Sequence, residues 1–335
     1  MFSLRLGGKI IVTMNQSELR GICPPIPTPF DADGKILHDA LRANLTRWFA
    51  AGLHGVVVLG SNGEYVLLNE SEKFAVWETA REAIPRDRLF LAGTGSDSTT
   101  TAIRMTQRAA EIGADAALVV TPHYYRPQMN QAALVKHYRS VADASPIPII
   151  LYNVPPYSNV DMDAATILEL AQHENIIGVK DSSGNLAKMG EVVQNAPTRF
   201  AFLTGTGSTI FPSLMLGAKG AVPALANIAP RECVQIFDSY QRGEYDAARQ
   251  LQLRLIRLNL ALTTRLGVPG LKAALDELGE FYGGPPRAPL MPLGEKERAE
   301  IRTILREAGL ERQVPEIANQ VRADELERQP SAVIR

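Results

Sequence analysis

Lys180 ends a short apolar run, Ile176-Ile177-Gly178-Val179-Lys180, and is followed by the small polar residues Asp181-Ser182-Ser183. An amine at the mouth of a buried strand is partly stripped of water, so its charged form is disfavoured and its pKa falls. A neutral lysine attacks ketones and forms Schiff bases. The same pattern also describes a strand-end lysine whose stem lies on apolar surface while its ammonium stays in water. Three other segments bear on the choice. In Gly60-Ser61-Asn62-Gly63-Glu64, small residues let backbone N–H groups approach an anion, and Ser61 and Asn62 add side-chain donors that suit a carboxylate. That segment also reads as a plain loop that caps a helix, with Glu64 favoured near the helix N-terminus. Tyr152-Asn153-Val154-Pro155-Pro156 places a phenol where it can relay a proton to and from a substrate hydroxyl, or simply fill space. Thr121-Pro122-His123-Tyr124-Tyr125-Arg126-Pro127 offers two tyrosines of packing or interface type and a cation for an anion.

The elements that must present these residues are strands. Apolar runs recur at 21–28, 55–60, 89–94, 116–121, 147–153, 176–180, 200–205 and 220–224. They are near-continuous rather than alternating, as parallel strands covered on both faces require. Between them lie helical stripes. Leu37, Leu41, Leu45 and Trp48 form one, closed by Gly52, and Ala102, Met105, Ala109 and Ile112 form another, closed by Gly113. Residues 163–172 make a third helix. Unbroken strand–helix alternation predicts an α/β fold of the (β/α)8 TIM-barrel class. A doubly wound open sheet would want a phosphate-binding glycine turn after its first strand, where this chain has Pro27-Thr28-Pro29-Phe30.

The expected division is an N-terminal extension over 1–18, the barrel over 19–228, additional C-terminal helices packed on the barrel over 229–310, and a polar, flexible tail over 311–335. Tyr245, Ala248, Leu251, Leu255, Leu258 and Leu262 mark the first of those helices, followed by helical patterns at 271–278 and 298–305. Residues 1–13 hold Arg5 and Lys9 and no acid, which fits a weak targeting segment, but Gly7-Gly8 favours a flexible extension ahead of a start at Met14.

Composition excludes several classes. Lys plus Arg number 35 against 36 Asp plus Glu, so there is no basic footprint for nucleic acid. No apolar run approaches the ~20 residues of a membrane span. Two cysteines, Cys23 and Cys233, make no disulfide framework and point to a reducing, cytoplasmic setting. The five histidines show no metal-ligand spacing, so no metal is expected.

Taken together, Gly60-Ser61-Asn62-Gly63-Glu64, Tyr152-Asn153-Val154-Pro155 and Val179-Lys180-Asp181-Ser182 resemble the dihydrodipicolinate synthase / N-acetylneuraminate lyase family, over about residues 21–310. The resemblance is greatest to the 4-hydroxy-2-oxoglutarate aldolases, through Val120-Thr121-Pro122-His123-Tyr124-Tyr125-Arg126, Ala224-Leu225-Ala226-Asn227, Val268-Pro269-Gly270-Leu271-Lys272 and the 283–290 segment. It implies a class I aldolase on a (β/α)8 barrel that needs no cofactor, takes a 2-oxo acid containing a pyruvate moiety, and assembles as a homotetramer, a dimer of dimers. It also implies roles: Lys180 as Schiff-base lysine, Tyr152 as proton shuttle, Ser61 and Asn62 at the pyruvate carboxylate, Ser182 near the substrate, and Tyr124 reaching a neighbouring subunit's site. The synthases of this family carry arginine where this chain has Tyr157, and that arginine binds the carboxylate of the aldehyde partner. A tyrosine cannot form the bidentate fork, and losing a charge-assisted pair removes ~1.5–3 kcal/mol. The change argues against aspartate semialdehyde as the partner and leaves open whether the second substrate is charged; the resemblance implies cleavage of 4-hydroxy-2-oxoglutarate to pyruvate and glyoxylate. The alternatives are 4-hydroxy-tetrahydrodipicolinate synthesis, a sugar-acid aldolase or dehydratase, and a non-enzymatic 2-oxo acid sensor.

Overall fold

Each of the eight apolar runs contributes a strand to a single parallel sheet in the computed structural model, which describes residues 4–6, 9–11 and 19–310. The strands are β1 (Gly21–Ile22), β2 (Gly55–Val58), β3 (Leu89–Gly93), β4 (Ala116–Val120), β5 (Ile149–Asn153), β6 (Ile176–Asp181), β7 (Ala201–Thr204) and β8 (Gly220–Ala221). Neighbours follow the order β1-β8-β7-β6-β5-β4-β3-β2. The ribbon closes on itself where Val57 N–H donates to Pro24 O at 2.9 Å and Ile26 N–H donates to Val57 O at 3.0 Å. The result is the expected (β/α)8 barrel. β1 and β8 are far shorter than their apolar runs, because the chain leaves the ladder early and continues as buried loop.

The near-continuous hydrophobicity has a direct cause. Successive strand residues enter two different cores. Val57, Leu91, Leu118, Ile150 and Leu203 fill the barrel interior. Val56, Phe90, Val119, Leu151 and Phe202 face the helices outside. In β6 the alternation slips. Ile149 pairs with Ile176, but Ile150 pairs with Gly178, leaving Ile177 as an extra residue. Ile177 lies in the inner core and Val179 in the outer one, so the face changes between them. A bulge of this kind re-aims every later side chain of its strand. It is what turns Lys180 inward.

The ring helices are α1 (His38–Ala50), α2 (Glu70–Ala83), α3 (Thr99–Ile112), α4 (Gln131–Ala144), the single turn α5 (Pro155–Ser158), α6 (Ala164–Leu170), α7 (Leu186–Asn195), α8 (Ile210–Met215) and α9 (Pro230–Gln241). Their starts are written in short polar side chains: Asn69 with Glu72 forms a capping box, and Ser98, Asn130, Asp163 and Asn185 accept from the first turn of the next helix. Gly113 ends α3 at φ 98°, a left-handed geometry that L side chains resist. α9 follows β8 and packs on β1, completing the eighth strand–helix unit. The expected boundary at 228 thus falls before the last ring helix, and the additional helices are α10 (Tyr245–Asn259), α11 (Gly267–Leu278) and α12 (Glu295–Glu307). α10 packs on α8 and α9, and α11 on α12. Tyr245, expected to open the buried stripe of α10, is 48% exposed, whereas Gln252 is buried in that helix.

Within the expected N-terminal extension, Leu4–Leu6 pairs antiparallel with Lys9–Ile11. The remainder of 1–18 and the expected polar tail at 311–335 lie outside the described residues. Among the described residues no helix is long and apolar enough to cross a membrane.

Candidate active site

Lys180 and Tyr152 are direct partners in the β5–β6 ladder, at the C-terminal ends of their strands. Their side chains are 2% and 4% exposed. The Lys180 Nζ stands 3.9 Å from the centre of the Tyr152 ring. Burial lowers the lysine pKa from 10.5 to about 7. Among the described residues no carboxylate is paired with it to restore the charge. An amine so placed is substantially neutral at neutral pH and is a competent nucleophile.

The Tyr152 hydroxyl lies 3.2 Å from Ser61 Oγ. Burial pushes the phenol pKa up, and hydrogen bonds with Ser61 and Ser182 oppose that shift. The phenol therefore stays protonated near neutrality and can pass a proton along a chain of hydroxyls. Ser182 comes from the turn after β6. Its N–H donates to Asn153 O at 2.9 Å, and its Oγ lies so close to Gly205 that a side chain there would collide with it. The turns after β5, β6 and β7 are thus interlocked.

Ser61 and Asn62 sit on a short turn, Ser61–Gly63, bracketed by two left-handed residues, Leu59 at φ 62° and Glu64 at φ 56°. Each such non-glycine residue costs roughly 1–2 kcal/mol, so the surroundings must hold the turn in place. The Leu59 carbonyl passes directly over Gly93, where any side chain would block it. Thr28 Oγ1 donates to Gly63 O at 2.8 Å. Glu64, read from sequence as a possible helix-capping residue, is instead 2% exposed and paired with Lys272 at 2.6 Å. Between this turn and Tyr152 lies a small cavity lined by Ser61, Tyr65, Gly93, Gly95 and Val120.

Behind the strand ends sits a second set of charges. Lys188 is within 2.7 Å of Asp161 and 3.0 Å of Asp181. Asn153 Nδ2 donates to the same two carboxylates at 2.6 and 3.2 Å. These contacts grip the residues immediately after Tyr152 and Lys180.

Lys180, Tyr152, Ser61 and Ser182 therefore come together, with Asn62 buried beside them in the same turn. Tyr124 does not join them within this chain. It is 76% exposed, its ring meets the edge of Tyr125 at 5.1 Å, and its N–H donates to Asp97 Oδ1 at 2.9 Å. Tyr157 stands half-exposed on α5. Sequence reasoning missed Tyr65, Lys188 and the pairing of Lys272. Tyr65 directly follows the Gly60–Glu64 motif, and that adjacency was the available signal. Lys272 carries no local signature because Glu64 is distant in sequence, and Lys188 none because its pairing with Asp181 and Asp161 depends on how α7 packs behind the strand ends.

Residues 18–308 match the model of the dihydrodipicolinate synthetase family. A 4-hydroxy-tetrahydrodipicolinate synthase of Methanothrix thermoacetophila is 38% identical over 287 residues, spanning 85% of this chain and 96% of the relative. A DapA-like lyase of Halobacterium salinarum is 36% identical over 87% of this chain and 95% of its own length. The dihydrodipicolinate synthase of Aquifex aeolicus superposes with a TM-score of 0.83 at 30% identity, covering 88% of this chain and all of the other. A prophage protein of the same family from E. coli K12, solved with pyruvate, gives a TM-score of 0.82 at 29% identity over 87% of this chain and 99% of its own. Agreement in motif, fold and length leaves one assignment: this chain belongs to the dihydrodipicolinate synthetase family of pyruvate-dependent class I aldolases, and is a carbon–carbon lyase.

Proposed function

We propose that the protein cleaves a 4-hydroxy-2-oxo acid, 4-hydroxy-2-oxoglutarate in the first instance, to pyruvate and glyoxylate through a Schiff base on Lys180. The neutral amine adds to the C2 carbonyl, and the Tyr152 phenol gives its proton to the departing hydroxide, so that water leaves and an iminium and a phenolate remain. The Tyr152 oxygen accepts the proton of the C4 hydroxyl, the C3–C4 bond breaks, and its electron pair passes into the iminium to form an enamine. The aldehyde departs. Protonation at C3 and hydrolysis then release pyruvate and restore the amine. Ser61 takes up or returns the proton held by Tyr152, and the Ser61–Asn62 turn receives the pyruvate carboxylate.

The observation that carries this reading is the buried amine of Lys180, with no carboxylate paired to it among the described residues, beside the Tyr152 phenol. Tyr157 offers no cationic fork for the carboxylate of aspartate semialdehyde, and glyoxylate is favoured by the resemblance to the 4-hydroxy-2-oxoglutarate aldolases that Ser182 shares. A second reading, 4-hydroxy-tetrahydrodipicolinate synthesis, is favoured by the names of relatives at 34–38% identity. In solution the protein is read as a homotetramer, with the exposed Tyr124 directed at a neighbouring copy. Retro-aldol assays on a panel of 4-hydroxy-2-oxo acids, with pyruvate release as readout, separate the two functions from a condensation assay of pyruvate with aspartate semialdehyde. Pyruvate release from 4-hydroxy-2-oxoglutarate supports the first reading. Efficient condensation with the semialdehyde and no such release establishes the second.

A further inference from the structure

We propose that the buried Glu64–Lys272 pair is a positioning device through which a helix outside the barrel, α11, holds the Ser61–Gly63 turn against the Tyr152 hydroxyl. The inference rests on the roles given above to Ser61 and Tyr152. Both side chains of the pair are wholly buried, and Lys272 Nζ lies 2.6 Å from Glu64 Oε1. Among the described residues, the other side-chain contacts of the pair come from the segment that follows α11 and from the chain leaving β1. Arg287 N–H donates to the second Glu64 oxygen at 2.7 Å, and Lys272 Nζ donates to Pro285 O at 2.9 Å. The ammonium also sits 4.3 Å from the centre of the Phe30 ring. The Arg287 side chain extends the hold by donating to Leu67 O at 3.2 Å and to Glu72 at 2.5 and 2.9 Å. The clamp thus holds the C-terminal flank of a turn bracketed by left-handed Leu59 and Glu64.

A backbone held in such conformations relaxes when its anchors go. Ser61 is three residues from Glu64, and its Oγ is 3.2 Å from the Tyr152 hydroxyl. Relaxation of the turn therefore moves a proton-relay atom. A buried carboxylate left alone is strongly unfavourable, so the informative variant neutralises both members, Glu64→Gln with Lys272→Met.

The test counts competent sites by trapping pyruvate on Lys180 with borohydride, then divides turnover by that count. A merely structural pair would lower the number of sites and leave turnover per site unchanged, because an unfolded site traps nothing. The positioning role predicts that the folded double variant still traps pyruvate on Lys180, while turnover per trapped site falls on the order of 10–100-fold. Exchange of the pyruvate methyl protons should slow in parallel. Wild-type turnover per trapped site in the double variant overturns the proposal. Should that variant not fold, Glu64→Asp keeps both charges, shortens the tether and is read in the same way. A wild-type enzyme that traps no pyruvate on Lys180 would instead sink the Schiff-base reading, which keeps the two failures apart.

Discussion

Three lysines are buried among the described residues, and two of them keep opposite company. Lys180, inside the barrel rim, is 2% exposed, has a tyrosine face beside it and no paired carboxylate among the described residues. Lys272, on α11 outside the barrel, is fully buried, also lies over an aromatic ring, and is 2.6 Å from Glu64. Burial lowers both, Lys180 to about 7 and Lys272 to about 8, the latter held up by the charge of Glu64. Desolvation alone yields a reactive amine, whereas desolvation with a carboxylate in contact yields a strut. Lys188, between Asp161 and Asp181, is a second strut.

The contrast is checked most strongly by Lys180→Met, which should abolish trapping and lower turnover by at least about 10⁴-fold, since no other group supplies the nucleophile. Trapping that persists on another lysine would remove the distinction. The corresponding change at the strut, Lys272→Met, leaves Glu64 buried and alone, which should cost about 3–5 kcal/mol, read as a fall in the denaturation midpoint. Stability equal to wild type would show that the pair contributes nothing to the fold. Tyr152→Phe keeps the ring over Lys180 and removes the relay. It should lower kcat by about 10²–10³-fold while leaving pyruvate trapping intact.

The smallest effect concerns stability at the nucleophile. Between pH 7 and 10.5 the unfolded chain binds the Lys180 proton and the folded chain does not, so stability rises with pH through that window. Burial of this lysine therefore destabilises the fold most below pH 7. Lys180→Met should melt higher than wild type at pH 7, and the gap should narrow as pH approaches 10. A variant that melts lower at pH 7 would mean that Lys180 is stabilised by its surroundings.

Much of this was legible in the sequence. All eight strands fall on the apolar runs, β6 alone passing its run by one residue, Asp181, because parallel strands covered on both faces need little polar residue. The strand-end rule for barrels picked out Lys180, Tyr152 and Ser61 before any coordinates. What stayed hidden depended on register and on distant pairing. The inward aim of Lys180 requires the bulge at Ile177, which a continuous apolar run cannot reveal. The burial of Glu64 requires Lys272, and a carboxylate beside a helix start reads locally as a cap. The short β1 and β8 escaped because an apolar loop at a barrel rim has the same composition as a strand.

The most direct measurement is peptide mapping after borohydride reduction in the presence of pyruvate, across pH 6 to 9, a window that brackets the Lys180 pKa of about 7. A single pyruvate-derived modification on Lys180, forming faster as pH rises through about 7 and levelling above it, is the predicted result. Modification of Lys272 or Lys188 in its place, or no modification at all, would contradict it.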